Sequence, residues 1–154
     1  MGDVASKGSF NEELAIFFEG KMCEEADFAY RAAYAWTLSR QAAFTCVQWA
    51  YKELVSGLEE LSKLDTFPLR QRIMKTLWQS FHKFQKTHKV DPGKAPLVQF
   101  FSSMSLEARS ALVLVDVCGL TPHGAAVVMG LDEVQLRREL AQGRKSLMNF
   151  SGMD

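Results

Sequence analysis

The chain has 154 residues, of which 47% are hydrophobic, so it is long enough to bury a core as one domain or two small ones. Its 18 basic and 18 acidic residues leave no formal net charge, which argues against a protein that coats nucleic acid. The chain has no apolar run of membrane-spanning length and no signal-peptide pattern. Three scattered cysteines lack metal-binding spacing. We therefore expect a reduced, cytoplasmic protein without a metal or cofactor.

The first half of the chain has helical periodicity and no segment that favours a strand. Residues 1–9 are small and polar, and we expect them to be frayed. Four helices are predicted, spanning residues 11–20, 23–38, 41–61 and 69–86. The second helix is rich in aromatic residues and alanine, which is typical of a buried helix, and Asp65-Thr66-Phe67-Pro68 separates the third helix from the fourth.

The fourth helix concentrates positive charge. Between Phe67 and Val90 there is no acidic residue, and the basic residues are Arg70, Arg72, Lys75, Lys83, Lys86 and Lys89. An apolar arc occupies the other side of the helix, with Trp78 at the border. A basic face beside an indole suits phosphate contact with base stacking. It is equally typical of a solvated face whose counter-charges lie on other helices.

Residues 87–103 are predicted to be a linker, because the stretch from Lys89 to Pro96 contains two prolines and a glycine without helical periodicity. The linker divides the chain into a helical domain at residues 10–86 and a second one at residues 104–150. Val98, Phe100 and Phe101 are candidates for packing the linker onto one of the halves.

Residues 104–150 contain a helix-turn-helix pattern: a first helix, a tight turn, a very short second helix, another turn and an amphipathic third helix. The start signals are Ser105, Thr121-Pro122 and the capping-box pair Asp132 and Gln135, and the stop signals are Gly119 and Gly130. One face of the third helix carries Leu136, Leu140, Gly143 and Leu147.

The helix-turn-helix half resembles region 4 of the extracytoplasmic-function sigma factors, small bacterial relatives of sigma-70. The resemblance is carried by Arg109, Ala111, Leu112, Leu114, Gly119, Leu120, Thr121, Ala126, Met129, Gly130 and Leu131. Residues 23–86 are similar to region 2 of the same family, with Leu54, Phe67, Leu69 and Ile73 at its apolar anchor positions. The resemblance implies an all-α fold of two helical domains. It also implies that the predicted helix at residues 41–61 binds core RNA polymerase and that the predicted helix at residues 69–86 melts and reads promoter DNA.

The sequence departs from the family pattern at functional positions. Ala42, Ala43, Phe44 and Thr45 replace a cluster of carboxylates that faces the polymerase, and Trp49 follows Gln48. Leu69 and Thr76 replace a tryptophan and an asparagine on the fourth helix, and Glu139 replaces a phosphate-binding arginine. Five basic and five acidic residues balance over residues 105–150, so this half lacks the net positive charge of a DNA-reading domain.

Two functional hypotheses follow, and an enzyme is not expected because the three histidines lie far from any nucleophile or carboxylate pair. In the first, a divergent sigma factor binds RNA polymerase core and promoter DNA. Its DNA-binding residues would be Arg72, Lys75, Trp78, Lys83, Lys86, Gln135, Arg137, Arg138, Gln142, Arg144 and Lys145. In the second, a sigma mimic binds an anti-sigma-type protein instead. Its partner-binding residues would be Phe44, Gln48 and Trp49. The apolar groups Phe44, Cys46 and Trp49 would form a groove for a partner helix, unless these three are buried between helices.

Overall fold

The computed structural model describes residues 11–151, with side chains up to residue 150. As predicted, the fold is all-α, and the described part of the chain contains no strand. The helices are α1 (residues 11–17), α2 (Cys23–Thr37), α3 (Arg40–Leu54), α4 (Leu58–Ser62), α5 (Thr66–Thr87), α6 (Pro96–Ser102), α7 (Leu106–Leu112), α8 (Pro122–Met129) and α9 (Glu133–Ser151). The predicted fraying of residues 1–9 lies outside the described residues.

Three of the predicted boundaries are wrong. The fourth helix begins at Thr66 and not at Leu69, so Thr66, Phe67 and Pro68 belong to α5, and Asp65 is its N-cap. Gly20 does not end the first helix, because a π-helical turn at Phe18–Met22 continues α1 directly into α2. The predicted helix at residues 41–61 is two helices, because a 3₁₀ turn at Val55–Gly57 ends α3 and α4 follows it. Glycine is a poor helix former, and Ser56 Oγ donates to the Glu53 carbonyl at 2.8 Å, which favours the tighter turn.

The start and stop signals in the second half are confirmed. Ser105 and Thr121 are N-caps whose hydroxyls accept from Ala108 N and Gly124 N. The capping box forms in both directions: Gln135 N donates to Asp132 Oδ1 at 2.7 Å, and Asp132 N donates to Gln135 Oε1 at 3.3 Å. Local side-chain chemistry therefore determines where these helices begin.

The segment predicted as a linker is only partly irregular. Residues 88–95 contain no helix, but α6 follows at once, with proline at its first position. Val98 and Phe100 are buried, and the Phe100 ring lies 4.4 Å from the Phe150 ring of α9. The segment is therefore packed onto the second half, which is one of the two alternatives that the sequence left open.

The two halves share one continuous hydrophobic core. Buried side chains run from Met22 on the first half to Leu140 on α9, and the fully buried ones include Trp36, Phe81 and Leu136. In the first half α2, α3 and α5 pack together, and across the boundary α2 contacts α7 and α5 contacts α8. The halves are therefore closed on each other in this structure. Their ability to fold as separate domains stays a prediction.

Two arginines connect the halves through hydrogen bonds to backbone carbonyls. Arg70 on α5 is buried, and its Nη1 donates to the Cys118 carbonyl at 2.6 Å. Arg109 on α7 donates to the carbonyls of Ala35 at 2.8 Å and Trp36 at 3.0 Å, which lie in the last turn of α2. Each guanidinium therefore satisfies helix-end carbonyls of the opposite half.

Candidate partner-binding and DNA-binding surfaces

Helix α3 exposes the aromatic residues that were candidates for partner binding. Phe44 is 57% exposed, Trp49 is 38% exposed and Gln48 is exposed between them. Cys46 is fully buried, and burial raises the pKa of its thiol to about 11, so it takes no part in a surface. We call the set of Phe44, Gln48 and Trp49 the α3 aromatic surface.

The α3 aromatic surface continues onto the end of α5. The Trp49 ring meets Phe84 edge-on at 5.6 Å and His88 at 5.9 Å, and His88 stacks on Phe84 at 4.4 Å. The basic residues Lys86 and Lys89 are exposed nearby in the sequence. These contacts hold Trp49 in place, so it presents an ordered aromatic face.

Four of the five residues assigned to DNA on α5 are exposed, namely Arg72, Lys75, Lys83 and Lys86. Trp78 is half-buried, and its ring packs edge-on against Trp36 at 4.9 Å and His82 at 4.5 Å. Base stacking by Trp78 would require it to leave these contacts. Arg70, which the sequence placed in the same basic run, is buried and paired with Glu25.

All six DNA-binding candidates on α9 are exposed, but three of them already interact within the chain. Arg137 pairs with Glu133 at 3.0 Å, and Gln135 belongs to the capping box. Arg144 forms two hydrogen bonds to Asp116, at 2.7 and 3.0 Å, which hold the pKa of the Asp116 carboxyl below its ordinary value. Within residues 11–151, the exposed residues Arg138, Gln142 and Lys145 form no hydrogen bond or ion pair through their side chains. The helix therefore offers less positive charge than its sequence suggests.

The three histidines differ in their surroundings. His82 is half-buried, and burial lowers the pKa of its imidazole; His88 is stacked on Phe84, and His123 is exposed on α8. Within residues 11–151 no group of His, Cys, Asp or Glu side chains is arranged to hold a metal ion. None of the helices in this range is both long enough and apolar enough to span a membrane.

Sequence reasoning missed the buried ion pair between Arg70 and Glu25, in which Arg70 Nε donates to Glu25 Oε2 at 2.7 Å. The signal was the position of Arg70, three residues before Ile73 and four before Met74, on the buried face of α5. Phe67 was also misplaced. Its family position predicts an apolar anchor, as for Leu69 and Ile73, which are fully buried, but Phe67 is 57% exposed.

Comparison with solved structures shows the fold. The sigma factor RpoE from Bartonella quintana, solved in complex with the anti-sigma factor NepR, is similar with a TM-score of 0.66 and 14% identity over 90% of this chain and 99% of that chain. The anti-anti-sigma factor PhyR from the same organism, also complexed with NepR, is similar with a TM-score of 0.59 and 20% identity over 84% of this chain. The match covers 48% of PhyR, so this chain spans about half its length. No family model and no curated protein match the sequence. The chain has an all-helical, sigma-like fold.

Proposed function

We propose that this protein regulates transcription as a sigma mimic, by binding an anti-sigma-type protein. The observation that carries the proposal is the exposure of Phe44 and Trp49 on α3, where the resemblance implies carboxylates in working sigma factors. The sigma factor RpoE and the anti-anti-sigma factor PhyR, whose solved structures are similar in fold, are both complexed with the anti-sigma factor NepR. A sigma-like fold with altered contact chemistry suits a protein that competes for the partner of a sigma factor.

The chemistry of the α3 aromatic surface favours a protein partner. Tryptophan is enriched among the residues that dominate binding energy at interfaces. Trp49 is held against Phe84 and His88, so it loses little conformational freedom on binding. The carboxylates that would steer α3 to a basic partner are absent, which lowers specificity for the polymerase. The surface is therefore better suited to an apolar partner than to the polymerase.

A second candidate function is that of an extracytoplasmic-function sigma factor. The observation in its favour is the exposed positive charge of α5, where Arg72, Lys75, Lys83 and Lys86 occur without an acidic residue on the same helix. Against it, Arg137 and Arg144 on α9 are already paired with carboxylates. Without a positive field on both halves, non-specific attraction to DNA is weak.

Purified components distinguish the two functions. The chain is titrated separately with the anti-sigma factor NepR, with RNA polymerase core and with promoter duplex over a salt series. We expect binding to NepR, and we expect the double substitution of Phe44 and Trp49 to alanine to weaken it at least about tenfold, because anchor residues carry about 2 kcal/mol or more.

Ile16→Ala is the matched control, since Ile16 is also an exposed apolar side chain, at 70%, but lies on α1 and not on α3. It should leave NepR binding unchanged. Binding to polymerase and to promoter DNA, with an affinity that falls steeply as salt rises, would support the second function. An equal loss in the control and the double variant would contradict the assignment of the α3 aromatic surface.

A further inference from the structure

A cleft of about 560 Å³ lies on the boundary between the two halves. The start of α5 forms one wall, with Phe67 and Pro68, and Leu64 lies just before this helix. The turn between α7 and α8 forms the other wall, with Gly119 and Leu120. The volume is within the range of small-molecule sites, which often lie where domains meet.

The cleft is mainly apolar and open to solvent at Phe67. Phe67 is 57% exposed although its aromatic ring lies at the boundary between the halves, whereas Leu120 on the facing wall is buried. At Gly119 the backbone has φ of 76°, and an added Cβ would lie 3.5 Å from the Phe67 ring and 3.6 Å from Arg70 Nη1. The absence of a side chain at Gly119 therefore keeps this space open.

The charges around the cleft favour an anion. Arg72 lies on its rim and has no carboxylate partner among the described residues, while Gln71 and Thr121 add neutral polar groups. The guanidinium of Arg70, behind the Gly119 turn, is neutralised by Glu25. The acidic residue nearest in sequence to the lining residues is the exposed Asp65, which follows Leu64 but does not itself line the cleft.

Helix ends add to this field. The N-termini of α5 and α8 both border the cleft, at Phe67 and Thr121. The Asp65 carboxylate stands at the start of α5 and the Thr121 hydroxyl accepts from Gly124 N at the start of α8, so both helix ends keep only part of their positive charge, and Arg72 is the main cation of the cleft. A negative headgroup placed near Arg72 would meet this charge, and its apolar body would cover Phe67.

We propose that this boundary cleft binds a small ligand with an apolar body and a single carboxylate, and that the ligand holds the two halves together. The carboxylate contacts Arg72, and the body packs between Phe67 and Leu120. Because the ligand touches both halves, its binding favours the closed arrangement over any separated one. The inference goes beyond the proposed function and does not depend on a protein partner.

The full chain is titrated with octanoate by calorimetry, with octanol as the uncharged counterpart and inorganic phosphate as an anion without a body. We expect octanoate to bind at least about tenfold more tightly than either control, because the carboxylate and the body each contribute. At a concentration of ten times its Kd, octanoate should raise the equilibrium constant for folding about tenfold, and this stabilisation is measured as a rise in Tm. Methyl NMR shifts should change at both Leu64 and Leu120.

Arg72→Gln is expected to weaken octanoate binding at least about fivefold, because it removes the cation while keeping a side chain of similar length. Lys83→Gln is the matched control, since Lys83 is an exposed cation on the same helix and does not line the cleft. Absence of octanoate binding, equal effects of the two substitutions, or equal binding of octanol would each overturn the proposal.

Discussion

Arg70 lies at the centre of the contact between the two halves. Its Nε and Nη2 donate to the two carboxylate oxygens of Glu25 on α2, its Nη1 donates to the Cys118 carbonyl, and its guanidinium covers the Phe28 ring at 3.9 Å. A buried arginine with its donors satisfied in this way is costly to disturb, because removal of one partner leaves a charge without compensation. The ion pair therefore contributes to the position of α5 relative to both α2 and the α7–α8 turn.

At this position Glu25→Gln is expected to lower the free energy of unfolding by about 3 kcal/mol, because the amide keeps the volume of the side chain but leaves Arg70 buried without a counter-charge. Urea unfolding followed by tryptophan fluorescence measures the change. Glu24→Gln is the control, since Glu24 is the exposed neighbour on the same turn, and it should change stability by less than about 0.5 kcal/mol. A similar small effect for both variants would show that the buried pair adds little.

At the scale of elements, α7 and α9 cross at Gly143. An added Cβ at this glycine would lie 2.8 Å from the Ala108 carbonyl oxygen and 3.3 Å from Leu112 Cβ. The first distance is shorter than real Cβ contacts allow, and the obstacle is backbone, which cannot move aside without shifting a helix. Gly143 therefore sets how closely the first and third helices of the second half approach.

Gly143→Ala is expected to destabilise the protein by about 1–3 kcal/mol. Alanine gains about 1 kcal/mol of helix propensity over glycine, but overpacking against α7 exceeds this gain. Gly20→Ala is the comparison, because the chain is also helical at Gly20 but no atom lies within 4 Å of an added Cβ, so only the gain in helix propensity remains. It should stabilise by about 0.5–1 kcal/mol in thermal or urea unfolding. If both substitutions stabilised, the crossing would be looser than the structure shows.

The elements differ in how far the sequence predicted them. The caps at Ser105 and Thr121 were predicted correctly because they depend on residues three positions apart. The same is true of the all-helical class, which follows from apolar periodicity. The burial of Arg70, the exposure of Phe67 and the pairing of Arg144 were not predicted, because each depends on a residue brought close by tertiary packing.

The candidate surfaces show the same limit. From the sequence, Phe44 and Trp49 could lie either on the surface or buried between helices. The packing of α3 on α5 decides between the two and leaves both side chains exposed. The sequence also assigned Arg137, Arg138 and Arg144 of α9 to DNA contact, without showing which of them are paired within the chain. Asp116, which binds Arg144, belongs to the π-helical turn after α7 and is distant in the chain. Charge available at a surface therefore cannot be counted from one helix alone.

At the scale of the whole molecule, the sigma-like fold is closed, with one core under both halves. The faces of α2 and α5 that pack on α7 and α8 are not available to a partner in this arrangement. Arg109 is central to this closure, because its guanidinium spans Ala35 and Trp36 at the end of α2 and Met104 just before α7. Burial lowers the pKa of Arg109, yet the group stays charged because an arginine pKa lies far above neutral pH.

Arg109→Gln is therefore expected to destabilise both halves together, by about 2 kcal/mol, because a charged donor that bridges three carbonyls is replaced by a shorter neutral one. Hydrogen exchange measures this directly, and protection should fall by the same factor of about 30 for core amides of α2 and of α9. Arg137→Gln, which removes only an exposed pair with Glu133, should change protection by less than a factor of about 3.

Loss of protection confined to one half would mean that the halves unfold independently. A partner could then open the closed arrangement by binding either half. A common loss would mean that opening costs a large part of the total stability, so that a partner must bind the closed surface, including Phe44 and Trp49, as the structure presents it.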